Sequence, residues 1–160
     1  MNINGIGITG PKNEFIVFPG RLENGGDLVI EVAPVLNFEK FDDLVKRPEP
    51  PQILLPGNLR TTDPDDKKYL KALEEYGTQR TAYIVIKSLS ATKDLVWDTV
   101  DINDPSSWAN WRVEMEAAGF SQLEMGRIFT AITICCGLNQ DKIDEATKLF
   151  YQSLSSQKED

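Results

Sequence analysis

The chain has 160 residues, 25 of them acidic and 17 basic, for a formal net charge of −8, and it contains no histidine. That length fits one domain or one domain with a small appendage, able to bury a core without staples, and its 41% hydrophobic and 26% charged content is that of an ordinary globular chain. The acidic balance excludes phosphate backbones and anionic membrane surfaces as natural partners, and the missing histidine excludes His-dependent triads, dyads and zinc sites.

No stretch approaches the roughly 18 apolar residues that a membrane-crossing helix needs. The first residues, Met1 to Gly5, lack the charged start and apolar run of a signal peptide. The protein is therefore expected to stay in the compartment where it is made.

Residues 1–13 are rich in Gly and Asn and read as a flexible lead-in. Glu14–Phe18 and Asp27–Val32 are short β-branched and aromatic runs separated by turn residues, which predicts a hairpin. A two-stranded hairpin is marginal alone, so it must pack on something, its own chain or a neighbour's. Asn37 is a candidate N-cap for a short helix with Phe38, Phe41, Leu44 and Val45 as its apolar stripe, closing a segment over 14–47.

Pro48, Pro50, Pro51 and Pro56 then predict an extended, polyproline-like arm over 48–62. Its apolar Ile53, Leu54 and Leu55 suit an arm lying on a surface better than a free linker.

From Asp63, an N-cap followed by Pro64, a helical region is expected to extend to residue 154. Its first helix should run to Leu89, with Gly77 weakening it and Tyr83–Ile86 alone able to pass for a buried strand. Asp104-Pro105 repeats the cap-and-proline start for a helix that carries Trp108 and Trp111 and ends at Gly119. Ser121 and Glu124 form a capping box for the next helix, through Cys136. Asn139 opens the last, striped by Ile143, Ala146, Phe150 and Leu154, before a frayed tail over 155–160. The expected fold is α+β but predominantly α: a small N-terminal β-hairpin, a proline-rich arm and a C-terminal bundle of about four helices.

Little in this order carries chemistry. Gly5-Ile6-Gly7-Ile8-Thr9-Gly10 matches G-x-G-x-x-G, but only four residues precede it and a strand follows, so the dinucleotide reading fails. Asp63, Asp65 and Asp66 belong to a helix start. Asp101, Asn103 and Asp104 begin like a calcium loop but meet Ser106 where Gly is required and Arg112 where Glu is required. Adjacent Cys135 and Cys136 sit in an apolar run and read as unpaired thiols without a base. No catalytic residue, metal site or cofactor is nominated, and carboxylate-only hydrolysis is the one enzymatic route left open. What remains is apolar and aromatic surface. Trp97, Trp108 and Trp111 are candidate partner contacts, although core packing is the plainer role for them.

Several segments together carry a resemblance: Tyr76 to Tyr83 with Lys87-Ser88-Leu89, then Val96-Trp97-Asp98-Thr99-Val100-Asp101, Asp104 to Trp108 with Trp111, and Ala118-Gly119-Phe120-Ser121. With Asp144-Glu145-Ala146, Phe15 to Pro19 and the Pro48 to Gly57 arm, the chain over 14–154 resembles the tail assembly chaperones of long-tailed bacteriophages, or a related small tail morphogenesis protein. The resemblance implies a non-catalytic protein of the host cytoplasm. It would bind the long tape measure protein, keep it soluble, help recruit tail tube protein and be absent from the finished particle. Either the patch of Trp97, Trp108 and Trp111 or the Ile53-Leu54-Leu55 arm is then the expected client contact, and self-association is compatible with the reading. A structural tail or neck component of the virion and a protein-binding adaptor unrelated to phage are the alternatives.

Overall fold

The computed structural model describes residues 2–7, 9–57, 59–137, 140 and 143–149. It is an α+β fold dominated by helix, with its strands paired into three separate two-stranded antiparallel sheets. In the expected lead-in, β1 (Asn2–Ile3) pairs with β2 (Ile6–Gly7). Asn4 and Gly5, at φ +51° and +80°, form the left-handed pair that a two-residue hairpin turn requires. The lead-in is therefore not without structure, because an Asn-Gly turn signal lies inside it.

The main hairpin joins β3 (Glu14–Phe18) to β4 (Leu28–Val32), with Ile16 opposite Ile30. Strand alternation sends Ile16, Phe18, Ile30 and Val32 inward and leaves Phe15, Val17 and Val29 outside. The inner face packs on two helices of the same chain, those over Lys67–Leu89 and Gln122–Cys135. The first short helix, α1 (Glu39–Leu44), buries Phe41 completely. Its N-cap position is Phe38, without a side-chain cap, and Asn37 lies just outside it.

The arm departs from expectation. Gln52–Leu55 (β5) and Leu59–Thr62 (β6) pair as a hairpin, closed at its base by the Asp63 N–H donating to the Pro51 carbonyl at 2.9 Å. The prolines permit this because Pro48, Pro50 and Pro51 precede the strands and Pro56 sits in the turn. No proline occupies 52–55 or 59–62, so no ladder N–H is lost. Gly57, at φ +90°, makes the reversal.

Helix α2 (Lys67–Leu89) runs unbroken through Gly77 and through Tyr83–Ile86, so the strand alternative does not arise. It starts later than the Asp63-Pro64 signal. Asp63 instead accepts the Asp65 N–H at 3.1 Å in a local turn, and Asp66 caps the helix by accepting the Tyr69 N–H at 2.8 Å. The same displacement recurs at Asp104-Pro105. Residues 104–109 form successive turns, with Asp104 accepting the Ser106 N–H, and α3 (Asn110–Ala117) begins only after Trp108. An Asx turn competes with the N-cap for the same carboxylate, and here it wins twice. Gly119, at φ +82°, ends α3 as expected. The capping box of α4 (Gln122–Cys135) is reciprocal: Ser121 Oγ accepts the Glu124 N–H, and the Glu124 carboxylate accepts the Ser121 N–H at 2.8 Å. The last expected helix is present over 143–149, while Asn139, Phe150, Leu154 and the tail 155–160 lie outside the described residues.

Two arginines bind the hairpin to the α3–α4 turn. Arg21 donates to the Gly119 carbonyl at 2.7 Å and lies over Phe120, and Arg127 lies over Phe18, whose ring meets Phe120 edge-on. Among the described residues no helix is long and apolar enough to cross a membrane.

Candidate protein-binding surfaces

The three tryptophans do not form one patch. Trp108 has no exposed surface. Its ring stacks on Phe41 at 5.9 Å and tilts against Tyr83 at 5.3 Å. Its Nε1–H donates to the Asp101 carbonyl at 3.0 Å, so the one polar group of the indole is satisfied inside the protein. Phe38 and Tyr76 extend the cluster, meeting Phe41 edge-on at 6.3 and 5.4 Å. This aromatic knot joins α1, α2 and the 104–109 turns.

Trp108 is therefore corrected from a client contact to a core residue. It also does not share a helix face with Trp111, because it precedes α3. Trp111 is 9% exposed and buried against the core, with the Arg112 guanidinium 5.2 Å from its ring centroid. It offers one edge to a crevice with Met125 and Phe129. Trp97 is half-buried on another side, beside Met115 and Phe120. The loop next to it is fastened by Glu114, whose carboxylate accepts the Asp98 N–H, the Thr99 N–H and the Thr99 hydroxyl at 2.8, 2.7 and 2.6 Å. Burial works to raise the Glu114 pKa, but the Thr99 hydroxyl and the N–H groups of Asp98, Thr99 and Val100 together outweigh it and hold the carboxyl below its ordinary value.

The arm presents what the tryptophans do not. Leu54 is 69% exposed, Ile53 39% and Leu59 66%, and every residue of β6 is exposed. Leu55 ends β5 opposite Leu59. With apolar side chains exposed on both strands, the hairpin is an outlying element of the fold, not a strap laid on the body. Leu59 is a residue that sequence reasoning missed. Its signal was there in the Leu59-Arg60-Thr61-Thr62 run after a Pro-Gly turn, masked by the density of prolines before it. The outer face of the β3–β4 hairpin adds Phe15, Val17 and Val29 as a second exposed apolar area.

The groups weighed for chemistry resolve into structural duties. Gly5 and Gly7 belong to the β1–β2 turn and strand, and the next element is β3. Asp101 accepts both the N–H and the side-chain amide of Asn103 at 2.8 Å, and these bonds lower its pKa. Among the described residues no three Cys, Asp or Glu side chains gather as a metal site. Cys135 is buried, and desolvation, then the neighbouring Cys136, pushes its thiol up to about 12, so it stays protonated.

Compared with known proteins, the chain matches no family model, no curated protein and no solved structure.

Proposed function

We propose that this protein is a non-catalytic binding protein that shields an aggregation-prone client, and specifically a tail assembly chaperone of a long-tailed bacteriophage. In this reading it acts in the host cytoplasm, engages the tape measure protein and assists the recruitment of tail tube subunits. The observation that carries the binding role is the β5–β6 hairpin, which holds Ile53, Leu54 and Leu59 out to solvent together on paired strands. Burial of the arm against a client removes apolar surface from water, a favourable transfer contribution of about 25 cal/mol per Å² that works against the entropic cost of association. The strongly acidic balance keeps such complexes apart from one another. The choice of client comes from the sequence resemblance over 14–154.

The test is co-expression of tape measure protein with the wild-type chain and with a Leu54→Asp, Leu59→Asp variant. The wild type is expected to keep the client in the soluble fraction and to co-purify with it. Client solubility that is the same with and without this chain overturns the reading.

A further inference from the structure

Away from the arm, an apolar crevice and a second one of mixed polar and apolar lining adjoin along one side of α4. The larger, about 530 Å³, opens between α2 and α4 with Phe38, Ile84, Phe129 and Ile132 on its walls and Gly77 and Thr133 at its edges. The second, about 470 Å³, is lined by Trp111, Met125 and Gly126 where α3 meets α4. Thr81 and Phe129 border both, so the two form one groove. Its α4 lining runs from Gln122 to Cys136, the whole helix, which at 1.5 Å per residue is about 21 Å long. The small residues are what leave the space. A Cβ built at Gly77 or at Gly126 meets nothing within 4 Å.

The charges around this groove run against those of the molecule. Its ionisable rim consists of Arg80, Arg112 and Glu116, a net positive charge on a chain of −8. Arg80 lies over Phe38, 4.4 Å from the ring centroid, and Arg112 over Trp111 at 5.2 Å. Among the described residues neither has a carboxylate within salt-bridge distance. Two guanidiniums held over aromatic rings at an apolar groove are placed to receive carboxylates from whatever fills it.

We infer that this groove docks an amphipathic helix of a partner protein, about four turns long, whose apolar stripe enters between α2 and α4 and whose acidic flanks meet Arg80 and Arg112. The length fixes the four turns, the apolar lining selects a stripe at 3–4 spacing, and the arginines select its flanking charge. The inference rests on the reading that the chain works by binding proteins, but it uses a surface separate from the arm. Trp111, enclosed on one side and edging the groove on the other, becomes a contact at the groove floor.

The probe is a fluorescein-labelled peptide of about 15 residues, with Leu at 3–4 spacing and Glu on the flanks, titrated with the full chain by fluorescence polarisation. A second peptide carries Lys in place of each Glu. The acidic peptide is expected to bind, and the basic one at least roughly tenfold more weakly. A Gly77→Leu, Gly126→Leu variant fills the groove from open Cβ positions on two helices and should fold at least as well as the parent, since Gly is the poorer helix former. It is expected to lose roughly tenfold or more in affinity. Arg80→Glu with Arg112→Glu, an exposed pair of changes, is expected to reverse the preference between the two peptides. Equal binding by the filled variant, an unchanged charge preference after reversal, or no binding of the acidic peptide overturns the inference. So does a dimer in light scattering that filling the groove dissolves, because the occupant is then a second copy. The Leu54→Asp, Leu59→Asp variant should still bind the peptide, so failure of the chaperone reading and failure of the groove are read separately.

Discussion

The Thr92 hydroxyl takes the place of a neighbouring strand for Glu31: it accepts the Glu31 N–H at 3.0 Å and donates to the Glu31 carbonyl at 2.7 Å. Two residues on, the Ala33 N–H donates to the Ser88 carbonyl at the end of α2. The outer edge of β4 is thus closed by side chain and helix end, as exposed strand edges in native proteins usually are. Thr92→Val keeps the shape and removes both bonds, leaving a half-buried N–H and C=O unpaired. It is expected to lower stability by about 1–3 kcal/mol in urea unfolding, whereas Thr92→Ser stays within about 0.5 kcal/mol of wild type.

The aromatic knot makes a prediction that separates core from contact. Trp108→Phe removes the bond to Asp101 and part of the ring volume, and is expected to lower stability by about 1–3 kcal/mol. At temperatures where the variant is fully folded, its affinity for a client should equal that of wild type. Chemical unfolding followed by a binding titration checks both halves, and a large affinity loss in the folded variant would return Trp108 to the contact surface.

That distinction marks where sequence reading stops. The alternation of Glu14–Phe18 against Leu28–Val32 and the Ser121/Glu124 box are local signals whose structural result is also local, and both are read directly. The Asp63-Pro64 and Asp104-Pro105 starts are local as well, but each carboxylate has two competing uses, a cap or an Asx turn. The Asp-Pro pair alone does not decide between them, and in both places the carboxylate accepts the N–H two residues on. Burial of Trp108 is set by Phe41 and Tyr83, far away in the chain, and no periodicity within residues 97–111 reports it. The arm was legible as apolar and extended. Its pairing was not, because a count of prolines hides which of them fall outside the ladder.

Acid should weaken the hold of Glu114 on the loop beside Trp97. Its folded-state pKa lies below the ordinary 4.5, so its stabilising effect is complete above the unfolded value and is lost as pH falls through the folded one. Glu114→Gln is therefore expected to be less stable than wild type at neutral pH and to show a flatter fall in stability below about pH 4.5. Parallel unfolding titrations between neutral and acid pH test this. Identical slopes for the two proteins would mean that the bonds to Asp98 and Thr99 do not discriminate between the charged and neutral carboxyl.

The arm should be separable from the fold. Leu54→Asp with Leu59→Asp changes two exposed side chains on an outlying hairpin, so the melting temperature should move by no more than the equivalent of about 0.5 kcal/mol per site. Client solubilisation should fall sharply at the same protein concentration. Calorimetry and the co-expression assay measure the two effects independently. A variant that melts much earlier would place the hairpin against the body of the protein in solution.

The adjacent thiols should behave differently although they share a peptide bond. Cys135 is 3% exposed, donates to the Ile132 carbonyl at 3.2 Å, and has its thiol pushed up to about 12, so neither access nor thiolate favours its reaction. Cys136 is half-buried and edges the groove between α2 and α4. A thiol-reactive dye is expected to label one cysteine per folded chain and both after denaturation, with peptide mapping assigning the first to Cys136. Because that side chain borders the proposed helix dock, the acidic peptide should slow its labelling, and the Gly77→Leu, Gly126→Leu variant should lose the protection. Labelling of Cys136 that the peptide leaves unchanged, under conditions where polarisation shows it bound, would move the docking site away from this face of α4.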